Sequence, residues 1–265
     1  MTKDISWQKK HREVISDFLK YLNGCSDDYI LKGGTSLMLC YGLDRFSEDI
    51  DLDGKGGIIG NIVNDFCAEK GYSYRVAKDT DTVKRYMVNY GDTGRPLKVE
   101  VSFRKKVIEP SEVTKFNGVN VYKIDSICTM KANAYNSRDK IRDLYDLSFI
   151  CNNYWEQLSS PVKSIVRDTL SYKGIEQFDF LIKDQSDELL DSSKLADDFL
   201  KMYDRLNLLA DERELQILNS AINNSYSKQG IDEWKREINQ TRSQINKENI
   251  EGKTPIKGRK EEHTR

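Results

Sequence analysis

The chain has 265 residues, 38% hydrophobic and 32% charged, with 42 basic and 43 acidic side chains and a net charge of −1. That length suits one or two domains, each large enough for a real core. No apolar run approaches the roughly 20 residues needed to span a bilayer. The N-terminal MTKDISWQKKHREV is too polar for a signal peptide. His11 and His263, near opposite ends, argue against a histidine-rich zinc site or a serine–histidine hydrolase. Cys25, Cys40, Cys67, Cys128 and Cys151 are scattered, odd in number and lack C-x-x-C spacing. They read mostly as buried free thiols, and the expected location is the cytoplasm.

Taken in chain order, Ser6 is the expected N-cap of a helix over 7–22, with Val14, Ile15, Phe18, Leu19 and Leu22 along one side. A strand at 29–32 leads into Gly33-Gly34, then a short helix at 37–41 and an acidic strand at 49–53. A GKGG loop at 54–57 precedes a helix over 58–70, followed by strands near 72–77, 84–90 and 97–103. VTKFNGVNVYK is a hairpin with Asn117-Gly118 at its tip. A helix pair over 125–150, with Asp125 as N-cap, completes an α+β domain on a mixed sheet spanning 1–150. Segments such as LADDFLKMYDRL and DERELQILNSAI have helical spacing, so 151–235 is expected to be a helical domain. Residues 236–265 carry few apolar side chains and no aromatic, and are expected to be a basic, mobile tail. Charge follows these divisions. Basic and acidic residues number 24 and 22 in 1–149, 9 and 16 in 150–234, and 9 and 5 in 235–265.

The stretch LKGGTSLMLCYGLDRFSEDIDLD, at 31–53, carries the most chemistry. Gly33 and Gly34 lack a Cβ, so the backbone there turns sharply and approaches a ligand closely. Thr35 and Ser36 stand where that turn opens a helix, whose N-terminal N–H groups attract phosphate. In a strand, residues two apart share a face. Asp49 and Asp51 therefore project together, with Ile50 and Leu52 towards the core. Two carboxylates beside a phosphate-cradling turn suit a Mg²⁺- or Mn²⁺-bound triphosphate. Alone, each half is an ordinary turn or a solvated strand end; the order and spacing together are specific. Along 97–103, Lys98, Glu100 and Ser102 form a polar face, and Glu100 is either a third carboxylate or a solvated side chain. Further on, Ile127, Met130 and Ala134 form an apolar helical stripe with Lys131 at its edge. Arg142, Asp143 and Asp146 fall within one turn of a second helix. On its own that second stretch also reads as a helix hairpin laced by ion pairs, with Arg142 and Asp146 paired at i, i+4.

The GG[ST]…Dx[DE] order resembles the DNA polymerase β-type nucleotidyltransferase superfamily. The fuller KGGTSL…RFSEDIDLD, with Arg45 and Ser47 ahead of the acidic pair, resembles the abortive-infection nucleotidyltransferase toxins of the AbiEii/AbiGii type. The later Lys131 and the string Arg138-Asp139-Lys140-Ile141-Arg142-Asp143-Leu144-Tyr145-Asp146-Leu147 resemble that family's R-x-K-x-R-D-x-x-D-L motif. The resemblance covers 28–150 and implies a polymerase β-like core; the helical C-terminal domain rests on spacing alone, since that half carries no motif of the family. It implies Asp49, Asp51, Lys131 and Asp143 as catalytic residues, with Asp49 and Asp51 on the metal. Nucleotide contacts would come from Gly33, Gly34, Thr35, Ser36, Arg45, Ser47 and Lys131, with Arg138, Arg142 and Asp146 in support. Toxin-like members vary at the third carboxylate, here Glu100.

The reaction this implies is metal-dependent transfer of a nucleoside monophosphate from an NTP to an acceptor, with release of pyrophosphate. The expected acceptor is tRNA, and the expected role is a growth-arresting toxin in phage defence with a separately encoded antitoxin. A nucleotidyltransferase acting on a small molecule or a protein is the alternative within the same chemistry. A degenerate fold used only for binding is a third reading, opposed by the intact Gly33, Gly34, Asp49 and Asp51.

Overall fold

The computed structural model describes residues 6–91, 94–185 and 187–208. The chain divides into two compact units, Met1–Leu206 and Asn207–Arg265. The segment DERELQILNSAI and the tail from 236 onward lie outside the described residues.

Helix α1 (Ser6–Cys25) buries Val14, Ile15, Phe18, Leu19 and Leu22, the stripe that its spacing dictates. Ser6 is its first helical residue rather than its cap, a shift of one position at a helix end. Strand β1 (Tyr29–Lys32) runs directly into α2 (Gly33–Cys40), which starts at the glycine pair, four residues earlier than expected. Strand β2 (Asp49–Gly54) then returns antiparallel to β1, with Leu31 opposite Leu52 and Lys32 opposite Asp51. After α3 (Ile59–Lys70) come β3 (Ser73–Asp79), β4 (Val83–Asn89) and β5 (Leu97–Ser102). These three form an antiparallel run whose last member pairs parallel with β2. Strands β6 (Val113–Phe116) and β7 (Val119–Tyr122) make the hairpin, and β7 pairs parallel with β1. Asn117 and Gly118 turn it with φ of 48° and 85°, the positive values a two-residue turn of this kind requires.

The result is one seven-stranded mixed sheet in the order β3-β4-β5-β2-β1-β7-β6. β2 and β5 lie next to each other inside it, so the carboxylates of β2 are held on backbone paired on both sides. Ile50 and Leu52 are 0% and 1% exposed, while Asp49 and Asp51 alternate with them towards solvent.

Helices α4 (Ile124–Ser137), α5 (Ile141–Tyr154), α6 (Ser160–Asp184) and α7 (Ser192–Arg205) follow. α4 packs on α5 and α6, and α5 on α7. The boundary expected at residue 150 therefore falls inside α5 and inside the first compact unit. The reason is packing: Leu144, Leu147, Ile150 and Cys151 are fully buried, so α5 needs neighbours on more than one side. Asp125 does not cap α4, because Lys123 already adopts the extended conformation at that position. The Asp125 carboxylate instead accepts from the backbone N–H and hydroxyl of Ser159, at 2.8 and 2.9 Å, just ahead of α6. Of the five free cysteines, Cys67, Cys128 and Cys151 are buried, Cys40 is half-buried and Cys25 is exposed. Among the described residues no helix is long and apolar enough to cross a membrane.

Because Ile50 is a fully buried side chain on a central strand, Ile50→Ala is expected to cost about 2–5 kcal/mol of stability. Thermal or urea unfolding measures this, and an unchanged melt would place the opposite face of β2 in the core.

Candidate active site

Gly33 and Gly34 are both required, for different reasons. Gly33 has φ of 76°, and a Cβ there would lie 2.9 Å from the Asp51 carboxylate. A Cβ on Gly34 would lie 2.6 Å from the Arg45 guanidinium and 2.8 Å from the Ser47 hydroxyl. The glycine pair thus lets the start of α2 press against the acidic strand and the loop before it. No side chain caps that helix start, so first-turn N–H groups remain for a phosphate ligand.

Thr35 and Ser36 are fully buried, and their hydroxyls face protein. Ser36 Oγ donates to the Gly33 carbonyl at 2.7 Å. Thr35 Oγ1 donates to the Asp49 carbonyl and lies 3.0 Å from Ser47 Oγ. The hydroxyls of both residues expected on the nucleotide thus hold the turn and the β2 entry in register.

Arg45 is likewise turned inward. Its Nε and Nη2 donate to the two Asp146 carboxylate oxygens, each at 2.6 Å, and Nη1 donates to the Phe46 carbonyl at 3.2 Å. Asp146 is 0% exposed and also accepts from Lys131 Nζ at 2.6 Å. Lys131 Nζ stands 3.2 Å from Asp143, which Arg138 grips through Nε at 2.8 Å and Nη2 at 3.2 Å. Three cations and two carboxylates therefore interlock across the loop before β2, α4 and α5. Burial pushes the Asp146 pKa up, but Lys131 and Arg45 outweigh it and leave the group below the ordinary carboxylate range. Arg142 pairs with Asp187, beyond α6, and stands 3.9 Å from Glu48. The expected hairpin pair of Arg142 with Asp146 does not form, because Asp146 points into the core and Arg142 outward.

The acidic face is equally specific. Asp51 lies opposite Glu100 across the parallel β2–β5 pair, and Asp49 lies opposite Lys98. Directly paired side chains share a face, so Asp49, Asp51 and Glu100 stand together. Lys98 Nζ reaches Asp49 at 2.7 Å, and Arg85 reaches Glu100 at 2.6 Å. Burial raises the pKa of Asp51, Asp49 and Glu100 add to the rise, and Lys98 and Lys131 oppose it. Among the described residues no three acidic, histidine or cysteine groups converge into a ready-made metal cage. Asp49 and Asp51 alone fit the usual way a small hard dication is held, through one or two carboxylates with the remaining places left to water and substrate phosphate.

A cleft of about 580 Å³ is lined by Gly34, Asp49 and Asp51 together with Lys131, Arg138 and Arg142. Sequence reasoning left three contributors unassigned. His11 of α1 contacts the Glu48 carbonyl through Nε2 at 2.7 Å and the Tyr90 hydroxyl through Nδ1. Burial, the largest influence, lowers its pKa, and a neutral ring donating from Nε2 steadies the residue just before Asp49. Asp187 orders Arg142 from 45 residues away in the chain, which no local pattern signals. Lys98 was visible only as part of a polar strand face.

A mixed sheet bearing such a cleft is the architecture of a nucleotidyltransferase, and solved structures agree. The crystal structure of a Helicobacter pylori protein assigned as a nucleotidyltransferase is 28% identical, with a TM-score of 0.63, covering 78% of this chain and 96% of that one. JHP933 from Helicobacter pylori is 28% identical with a TM-score of 0.63, covering 83% and 98%. Comparison with curated proteins gives no match. The model of the nucleotidyl transferase AbiEii toxin, of type IV toxin–antitoxin systems, matches residues 17–234. The chain belongs to this AbiEii nucleotidyltransferase toxin family, whose name implies an NTP substrate and an antitoxin partner.

Removing Asp146 would strand two buried cations. Asp146→Ala is expected to cost about 3–5 kcal/mol in unfolding measurements. Because the folded pKa of Asp146 is lowered, its contribution is complete above the ordinary carboxylate pKa and fades as pH falls through the folded value. The wild-type stability difference from Asp146→Ala should therefore narrow in acid; a difference independent of pH would contradict the pairing.

Proposed function

We propose that this protein transfers a nucleoside monophosphate from an NTP to a hydroxyl of tRNA, and that this modification arrests growth. The observation that carries the reading is the alignment of Asp49 and Asp51 on β2 against the uncapped start of α2, in one cleft with Lys131 and Arg138. Triphosphate needs backbone donors, a cation-rich wall and paired carboxylates within one cleft, and this arrangement supplies all three.

In the proposed reaction the acceptor oxygen bonds to the α-phosphorus as the bond to the pyrophosphate oxygen breaks. The hydroxyl proton passes to the acidic face of β2 and β5. Asp49 and Asp51 would hold Mg²⁺ or Mn²⁺, which when bound neutralises charge on the reacting phosphate. The first-turn N–H groups of α2 hold the terminal phosphates. Lys131 and Arg138 face the triphosphate from the opposite wall, and Asp143 fixes both of them. Arg45 and Asp146 act behind them, by setting where Lys131 stands. Glu100, tied to Arg85, serves as a weaker third carboxylate. The location in this reading is the cytoplasm, where NTPs and tRNA are found, and the setting is phage defence; the family supports the antitoxin partner.

The test is incubation of purified protein with each α-labelled NTP and total tRNA. Label should enter tRNA with wild-type protein and be lost, at unchanged melting temperature, with Asp49→Ala or Asp51→Ala. Label entering protein or a small molecule instead would change the acceptor class; turnover retained by either variant would remove the carboxylates from the reaction. Glu100→Gln should lower the rate less than Asp51→Asn, and equal losses would make Glu100 a full partner. Lys131→Ala and Asp143→Ala should lose activity beyond any fall in melting temperature. Losses that merely track unfolding would reduce both residues to structural ion pairs.

A further inference from the structure

Strand register extends the acidic face into a cationic one. Asp49 lies opposite Lys98, Lys98 opposite Met87, and Met87 opposite Arg75 at the sheet edge. The neighbouring row runs Asp51, Glu100, Arg85 and Lys78. Directly paired residues share a face, so both rows lead from the reacting carboxylates to basic residues on β3. At about 5 Å per strand, each row covers about 14 Å.

Arg75 and Lys78 are three residues apart, and in a regular strand they would point to opposite faces. A register shift between Val76 and Lys78 inserts Ala77 as an extra residue and brings both cations onto the active-site side. The other face of the same strands turns towards α3: the Tyr74 hydroxyl donates to Asn64 of α3 at 3.4 Å, and the Tyr74 and Tyr86 rings meet edge to face at 6.2 Å. Arg75 and Lys78 are exposed, and among the described residues neither forms an ion pair. Across the cleft, by contrast, Arg138 and Arg142 are held by Asp143 and Asp187.

We propose that the β3–β4–β5 face is the track on which the phosphate backbone of the acceptor RNA lies, with Arg75 and Lys78 as its outer contacts. The proposal rests on the reading of RNA as acceptor. Charge complementarity chooses this occupant. Beside Asp49, Asp51 and Glu100 a polyanion is repelled unless cations hold it further along, and the bulge supplies them on the required face. Arg85 and Lys98, paired with Glu100 and Asp49, shield the acids where the strand passes. An edge bulge and a lysine also guard a sheet against edge-to-edge pairing, and that role makes a different prediction.

The experiment compares full-length wild type, Arg75→Ala/Lys78→Ala and Arg75→Lys/Lys78→Arg. Binding of 5′-fluorescein-labelled tRNA is followed by anisotropy across a salt series, alongside NTP binding, melting temperature and oligomeric state. The alanine pair should weaken RNA binding about tenfold at low salt and flatten the log–log salt slope by about 1.5 units, since each lost phosphate contact removes about 0.7–0.9. NTP binding and melting temperature should not change, and the charge-retaining pair should bind RNA as wild type does. Wild-type binding with an unaltered slope in the alanine pair would overturn the track alone, and self-association of that pair would then assign the residues to edge protection. A wild-type protein that does not bind tRNA would overturn the RNA-acceptor reading, and the track with it.

Discussion

Asp146 sits at the point on which the site depends: a carboxylate with no solvent access, clasped by Arg45 on one side and Lys131 on the other. Desolvating a charge costs several kcal/mol, and only close, well-directed partners offset it. The geometry here meets that condition with a bidentate guanidinium and an ammonium, all at 2.6 Å. Because Arg45 belongs to the loop before β2, Lys131 to α4 and Asp146 to α5, this interaction sets the distance between the sheet and the helices. The cleft exists because that distance is held.

The close approach of α2 is the complementary constraint. Arg45 and Ser47 occupy the space that a side chain at position 34 would need, and Asp51 occupies the space beside Gly33. Two missing Cβ atoms therefore let three elements meet: the helix start, the loop and the acidic strand. Thr35 then ties the helix to the Asp49 carbonyl, and His11 steadies Glu48 from α1. Backbone placement, more than any single charged side chain, brings the uncapped start of α2 beside the carboxylates of β2.

The sheet is asymmetric in its chemistry. Towards β1 and β7 the polar groups turn inward, as in the buried Asp53, which accepts from Lys32 at 2.5 Å and from Tyr122 at 3.0 Å. Towards β3 the same face changes from acidic at β2 to exposed Arg75 and Lys78 at the edge. Central placement of β2 gives rigidity to the acids, and the bulged edge gives an open approach to them.

Much of this was legible from residue order. Strand alternation put Asp49 and Asp51 together and Ile50 and Leu52 in the core, because a two-residue period is a local property of extended backbone. The Asn117-Gly118 turn and the stripe of α1 were readable because positive-φ preference and the 3.6-residue helical period are local properties too. Local signals failed where partners come from far along the chain. Arg45 and Ser47 belong to the acidic motif by position, yet their side chains point to Asp146 and Thr35. Arg142 looked like a partner of Asp146 and instead found Asp187. Lys98, Arg85 and Arg75 acquire meaning only through strand register, which pairing across a sheet determines. The division expected at residue 150 dissolved because burial on several sides of α5 draws α6 and α7 into the same unit. Residue order alone sets which elements form, which faces they bury and which residue types can handle a triphosphate. Which charges cancel one another in the interior, and which stay exposed to a ligand, emerges on folding, because Arg45 meets Asp146 across a hundred positions of chain.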